Sequence, residues 1–242
     1  MAQNIYDNPT FFAGYSQLPR QLLGLEGAPE WPTVEALLPD VTRKRVVDLG
    51  CGYGWVSRWL RAHGSAEILG IDISETMISQ ARARTTDAGI EYRVADIETL
   101  VLPEASFDLA FSALAFHYIS DFDRLTRMLH RALLPGSRLI FTIEHPIYMA
   151  MASANWVQGD DGREIWPVRR YAIEGERRTD WFASGVVKYH RTLATTINAL
   201  IDAGFTLRRL EEFSPSARQI AEWPELALEV ERPMFALVAA DR

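Results

Sequence analysis

The chain has 242 residues, 48% hydrophobic and 24% charged, which supplies one sizeable core and excludes a disordered chain. Its net charge of −7 offers no overall attraction to a polyanion, so nucleic acid is not expected as a partner. The single cysteine, Cys51, excludes an internal disulfide, and no long apolar run or export-type start is present, so a cytoplasmic protein without a membrane partner is expected.

One domain spanning 1–242 is expected. Residues 1–44 open with an aromatic, partly polar stretch from Tyr6 to Tyr15, then a proline-bounded segment, Trp31–Leu38, whose apolar spacing suits a short helix. They form an N-terminal cap. From Arg45 the pattern becomes an alternation of apolar strands, near 45–49, 66–72, 90–94, 107–113 and 137–144, with helices near 53–63, 74–86 and 121–134. Ser74 and Asp121 are placed to cap the second and third of these helices. Residues 147–186 break the rhythm with glycine, proline, five arginines and six aromatics, and read as an insertion over the sheet's edge. A helix near 190–203 and strands near 205–213 and 233–240 close the chain. Gly64 and Gly204 stand where a helix ends in a left-handed residue. Alternating strands and helices of this kind build an α/β doubly wound, mostly parallel sheet.

The densest signal is Val46-Val47-Asp48-Leu49-Gly50-Cys51-Gly52-Tyr53-Gly54-Trp55. Three alternate glycines leave an apolar strand and enter a helix, a turn that lets the backbone approach a ligand while the helix presents free amides. A dinucleotide site wants glycine at the position of Trp55, and Asp48 would repel a pyrophosphate but attract a cationic ligand such as the ammonium end of methionine. The next two strands end in Ile71-Asp72-Ile73 and Val94-Ala95-Asp96-Ile97. The first carboxylate suits a ribose diol and the second an adenine amino group.

With these motifs the chain resembles the class I S-adenosylmethionine-dependent methyltransferases, in particular the small-molecule group called methyltransferase type 11. The resemblance runs through the first five strands and includes Leu134-Pro135-Gly136, where Ser137 replaces a frequent second glycine. It implies a Rossmann-like seven-stranded sheet with an antiparallel last strand. It further implies that Asp48, Gly50, Cys51, Gly52 and Gly54 cradle the methionine half of S-adenosylmethionine, that Asp72 and Ile73 hold the ribose, and that Asp96 and Ile97 meet the adenine. Ser112 is grouped with these cofactor-side residues. Phe12-Ala13-Gly14-Tyr15 through Arg20 is similar to the segment that places a tyrosine and an arginine over the cofactor, so Tyr15 and Arg20 are expected there, unless they only anchor the N-terminal helix. The expected product is S-adenosylhomocysteine.

Ligands of open α/β sheets sit beyond the carboxyl ends of the strands. Three histidines fall at such openings: His117 after strand four, His145 after strand five, and His190 at the start of the helix that follows the insertion. With an ordinary pKa near 6.5, each is a candidate general base for a small-molecule methyl acceptor. Their spacing with Glu144 matches no zinc motif, so no metal is expected. The aromatics Tyr148, Trp156, Trp166, Tyr171, Trp181 and Phe182 either wall a substrate chamber or form the insertion's own core. Arg169-Arg170 and Arg177-Arg178, interspersed with acids, read as a solvated face. Two other functions share the cofactor site: a non-catalytic S-adenosylmethionine or S-adenosylhomocysteine binding protein, and an RNA or protein methyltransferase. An NAD-dependent oxidoreductase is disfavoured by Trp55 and Asp48.

Overall fold

Inner strands that are apolar on both faces require helices on both sides of the sheet. A computed structural model, describing residues 2–152 and 155–242, has this arrangement. β1 (Arg45–Leu49), β2 (Glu67–Asp72), β3 (Ile90–Val94), β4 (Phe107–Ala113) and β5 (Leu133–Glu144) are mutually parallel. α1 (Pro9–Tyr15), α2 (Pro19–Leu22) and α3 (Trp31–Leu37) precede β1, α4 (Trp55–Ala62) and α5 (Glu75–Ala83) follow β1 and β2, and α6 (Phe122–Ala132) leads into β5. Beyond β5 come α7 (Pro146–Met149), the short pair β6 (Val157–Gln158) and β7 (Glu164–Ile165), and the long hairpin β8 (Gly175–Trp181) and β9 (Ala183–His190). The chain then returns through α8 (Leu193–Asp202), β10 (Thr206–Glu212) and α9 (Ala217–Glu222) to β11 (Phe235–Asp241).

The sheet order is β10-β11-β5-β4-β1-β2-β3, and β11 runs antiparallel to both of its neighbours, as expected of the last strand. Alternation along β1 sends Val47 and Leu49 to one face, against α6 and α8, and Val46 to the other, against α3, α4 and α5. Each large side chain enclosed this way, such as Leu125 and Leu129 of α6, contributes about 1.5–3 kcal/mol of hydrophobic stabilisation. The expected caps are in place: the Ser74 hydroxyl accepts from Met77 N at 3.0 Å and Asp121 Oδ1 from Arg124 N at 2.9 Å. Among the described residues no helix is long and apolar enough to cross a membrane.

One element departs from expectation. The helix expected from residue 190 begins at Leu193, capped by Thr192, and Lys188-Tyr189-His190 belongs to β9. Val186, Lys188 and His190 are buried while Val187 and Tyr189 are less so, a period of two that marks a strand. The insertion therefore runs past residue 186 to the end of the hairpin. Its hairpin packs on the N-terminal cap through a third, aromatic-rich cluster of Ile5, Phe11 and Val186 with Tyr6, Tyr15, Tyr118 and Trp181. Cap and insertion thus form one roof.

Candidate active site

Strand order reverses between β1 and β4, so the loops leaving these two strands diverge and open a crevice at their carboxyl ends. Gly50, Gly52 and Gly54 in the first loop have φ of 73°, 51° and 72°, a region that glycine enters without strain. A Cβ on Gly50 would clash with the Ala115 side chain of the β4 loop, and one on Gly54 with the Tyr92 hydroxyl. Nothing lies within 4 Å of the corresponding position on Gly52. Two glycines are thus demanded by packing, and the third leaves open space for a ligand.

That space belongs to a continuous cavity of about 910 Å³. Of the expected cofactor-side residues, Asp48, Gly50, Cys51, Gly52, Asp72, Ile73, Asp96 and Ile97 line it, and Tyr15 and Arg20 line it from the cap. Gly54 and Ser112 do not. Ser112 is a correction: its hydroxyl is wholly buried and donates to Leu49 O at 2.7 Å, tying β4 to β1 behind the crevice. Arg20 spans both oxygens of the buried Glu30, at 2.9 and 3.2 Å, so part of its charge is matched within the protein.

Asp48 is buried and its Oδ2 accepts from the Ser57 hydroxyl at 2.6 Å. Burial pushes its carboxyl up to about 7, against the lowering effect of that hydrogen bond. Burial likewise raises Asp72 to about 6, although its carboxylate accepts from Ser74 N at 2.9 Å and Gly52 N at 3.0 Å. No basic side chain pairs with either among the described residues. Two buried, unpaired carboxylates beside an open glycine backbone suit a ligand that brings positive charge and hydroxyl donors. At the far end of this floor Asp96 accepts from Ala2 N at 3.0 Å and Glu98 N at 2.9 Å, so the first residues of the cap roof that corner.

The three histidines separate. Only His117 lines the cavity. Its Nδ1 accepts from Glu144 N at 3.4 Å, which leaves the hydrogen of a neutral ring on Nε2, and burial pulls its pKa down to about 4. In this tautomer the neutral ring offers an N–H to the cavity. His145 is also corrected: it caps α7, with Nδ1 accepting from Ile147 N at 3.0 Å and Nε2 held 2.7 Å from Glu212 Oε1. Both nitrogens are engaged away from the cavity. His190, completely buried, places Nε2 2.8 Å from Tyr171 O and lines no part of the site. Alternation decides the fate of His145, which points to the face opposite Glu144, whereas His190 shares the buried face of Lys188 and lies two residues farther along β9.

The end of the cavity beneath the insertion holds a group that histidine counting missed. Lys188 Nζ lies 2.6 Å from Glu144 Oε1, and both side chains line the cavity with Tyr6, Tyr118 and Trp181. Burial raises the Glu144 carboxyl, but His117 and the Lys188 ammonium outweigh it and leave the pKa below its ordinary value. The available signal was one of only two lysines in an otherwise arginine-based chain, set in the alternating Val186-Val187-Lys188-Tyr189-His190. Of the insertion's aromatics, Tyr148, Trp166 and Trp181 line the cavity, whereas Trp156 and Tyr171 are half-buried away from it and Phe182 is exposed. Arg177 and Arg178 reach its rim instead of forming a purely solvated face. Among the described residues no three His, Cys, Asp or Glu side chains gather as metal ligands.

A methyltransferase-domain family model matches residues 47–141, from the glycine loop to β5. An uncharacterized protein of Haemophilus influenzae is 36% identical over 217 residues, covering 86% of this chain and 85% of its own. A malonyl-[acyl-carrier protein] O-methyltransferase of Pseudescherichia vulneris is 42% identical over 113 residues, 46% of this chain and 44% of that protein, so the chain spans under half of that relative. The crystal structure of an S-adenosylmethionine-dependent methyltransferase from Mesorhizobium loti superposes with a TM-score of 0.88 at 54% identity, covering 90% of this chain and all of that one. Likeness at this level covers nine-tenths of the chain, and the unpaired carboxylates beside Gly52 fit the same methyl donor. The chain therefore belongs to the class I S-adenosylmethionine-dependent methyltransferases, with S-adenosylmethionine as its cofactor.

Proposed function

We propose that this enzyme methylates a small molecule that binds beneath the insertion, against His117, Glu144 and Lys188. The observation that carries this reading is the continuity of one cavity from Gly52 and Asp72 to Lys188. Its volume, about 910 Å³, lies near the upper end for small-molecule sites, enough for a donor and a small acceptor together. S-adenosylmethionine supplies an electrophilic methyl on a sulfonium. In this reading the Gly50–Gly52 backbone and Asp48 receive its amino-acid half, Asp72 accepts from the ribose hydroxyls, Asp96 and Ile97 meet the adenine, and Tyr15 and Arg20 close over it. The roof of cap and hairpin excludes water, so the acceptor is held in place and desolvated, the two sources of rate that methyl displacement draws on most. A purely binding protein would not need the space that continues past the glycine loop to a polar, aromatic-walled end.

The test is calorimetric titration with S-adenosylmethionine and, separately, NAD. Binding of the first alone is expected, and Asp72→Ala is expected to weaken it by about tenfold or more, the cost of charge-assisted hydrogen bonds. Unchanged affinity in that variant would remove Asp72 from the ribose position.

A further inference from the structure

Lys188 is one of two lysines in the chain, and it is 5% exposed. A lysine is seldom enclosed without a matching anion. Here Nζ donates to Glu144 Oε1 at 2.6 Å and makes no second hydrogen bond among the described residues. Its other sides face rings, with Nζ 5.0 Å from the Trp181 centroid and 6.0 Å from that of Tyr118. On the partner, Glu144 Oε2 is buried and has no hydrogen-bond partner among the described residues. The pair therefore leaves a donor and an enclosed acceptor, Oε2, unsatisfied in two side chains that both line the cavity. An enclosed ion pair left in this state is unfavourable until something satisfies both groups.

Charge selects what can do so. A carboxylate would set an anionic oxygen against Glu144 Oε2, and a protonated amine would set its charge against Lys188. A hydroxyl satisfies both through one oxygen, donating its hydrogen to Oε2 and accepting from Nζ. Tyr118, Tyr148, Trp166 and Trp181 wall this end of the cavity, and such surfaces favour a flat ring in stacked or edge-on contact. Among hydroxyls, a phenol, with a pKa near 10, is far more readily deprotonated beside an ammonium than an alkanol.

We propose that Lys188 and Glu144 recognise the hydroxyl of a phenol as the methyl acceptor, an inference that rests on the methyl-transfer reading above. As the acceptor oxygen, held by the Lys188 ammonium, forms its bond to the methyl carbon, the methyl–sulfur bond breaks with its electron pair passing to sulfur, which leaves S-adenosylhomocysteine, and the O–H bond, made acidic by the new bond, releases its proton to Glu144 Oε2. The other titratable groups facing Glu144 do not compete for the proton. His117 is neutral with Nδ1 engaged, and burial keeps the Tyr118 and Tyr148 hydroxyls protonated.

The test uses the full chain without donor and four probes: 4-nitrophenol, whose phenolate is coloured, and 4-nitroanisole, 4-nitrobenzoate and 4-nitrobenzylamine. Affinities and the ionisation of bound 4-nitrophenol are read for the wild type, E144Q, K188M and the charge-neutral double variant K188M/E144Q, which leaves no unpaired buried ion should the single variants fold poorly. S-adenosylhomocysteine is titrated into each. The wild type is expected to bind 4-nitrophenol about tenfold or more tighter than the other probes. K188M should raise the pH at which the bound phenol ionises, E144Q should lower it, and the double variant should lose the preference while binding S-adenosylhomocysteine normally. A purely structural pair would not move the probe's ionisation in opposite directions. No preference for the phenol in the wild type, or a preference that survives in the double variant, overturns the inference even if S-adenosylhomocysteine binds. Failure of S-adenosylhomocysteine to bind the wild type overturns instead the methyl-transfer reading.

Discussion

Gly52 and Gly54 are separated by one residue and share a positive φ, yet they answer to different demands. Gly54→Ala adds a clash with Tyr92 to backbone strain, so it is expected to cost about 2–4 kcal/mol in denaturant unfolding. Gly52→Ala meets no neighbour and should cost only about 1 kcal/mol of strain, but its methyl enters the cavity and should weaken S-adenosylmethionine binding by tenfold or more. Asp48 and Asp72 supply the pH dependence. Their folded pKa values, about 7 and about 6, exceed the ordinary value of 3.8. The unfolded chain therefore releases these protons first, and the stability they contribute is complete below pH ~4 and lost as pH rises to ~7. The bound cofactor is proposed to use the ionised forms, so its affinity should rise over the upper part of this window. The rise in Tm caused by S-adenosylmethionine is expected to be larger at pH 7.5 than at pH 5, and Asp72→Asn should flatten that difference. A Tm rise that shrinks with pH would refute the pairing. At this scale Asp48 and Asp72 were legible because a strand-to-helix glycine loop carries its geometry in consecutive residues. His145 and His190 were not, because the direction of a side chain at a strand end depends on register and burial.

Two elements beyond β5 are held by contacts that local pattern does not announce. α7 is capped by His145, whose ring accepts from Ile147 N, so His145→Ala should lower stability by about 1 kcal/mol, the usual worth of a cap, and change S-adenosylmethionine affinity by less than about twofold. A loss of turnover far beyond the loss of folded protein would return His145 to the chemistry. The insertion is latched by Arg232, which precedes β11. Its guanidinium lies 4.1 Å from the Trp166 ring centroid, 4.6 Å from that of Tyr148 and 5.2 Å from that of Trp156, and it pairs with the buried Glu229. Arg232→Ala strands Glu229 without a partner and should cost about 3 kcal/mol. It should also shift tryptophan emission to the red as Trp156 and Trp166 lose their packing, and the shift should be absent if the arginine only balances charge. From sequence, the aromatics of 147–186 left two roles open; in the structure Tyr148 and Trp166 both line the cavity and, with Trp156, pack on an arginine more than sixty residues away.

Over the whole molecule, the cap and the β8–β9 hairpin share one aromatic cluster while both border the cavity. Ligand bound beneath them is expected to slow amide hydrogen exchange in residues 2–20 and 175–190 together, since opening either exposes the same packed rings. Protection confined to the glycine loop would mean that the roof does not close on ligand. The sequence by itself determined the seven strands, the glycine loop, the acids at the ends of β1, β2 and β3 and the family they indicate, because periodicity and loop chemistry are properties of neighbouring residues. Only the tertiary structure decided which of three histidines reaches the cavity and that Ser112 stands behind it. It alone joined Lys188 to Glu144 across forty-four residues, because that contact exists only when β9 folds over the end of β5.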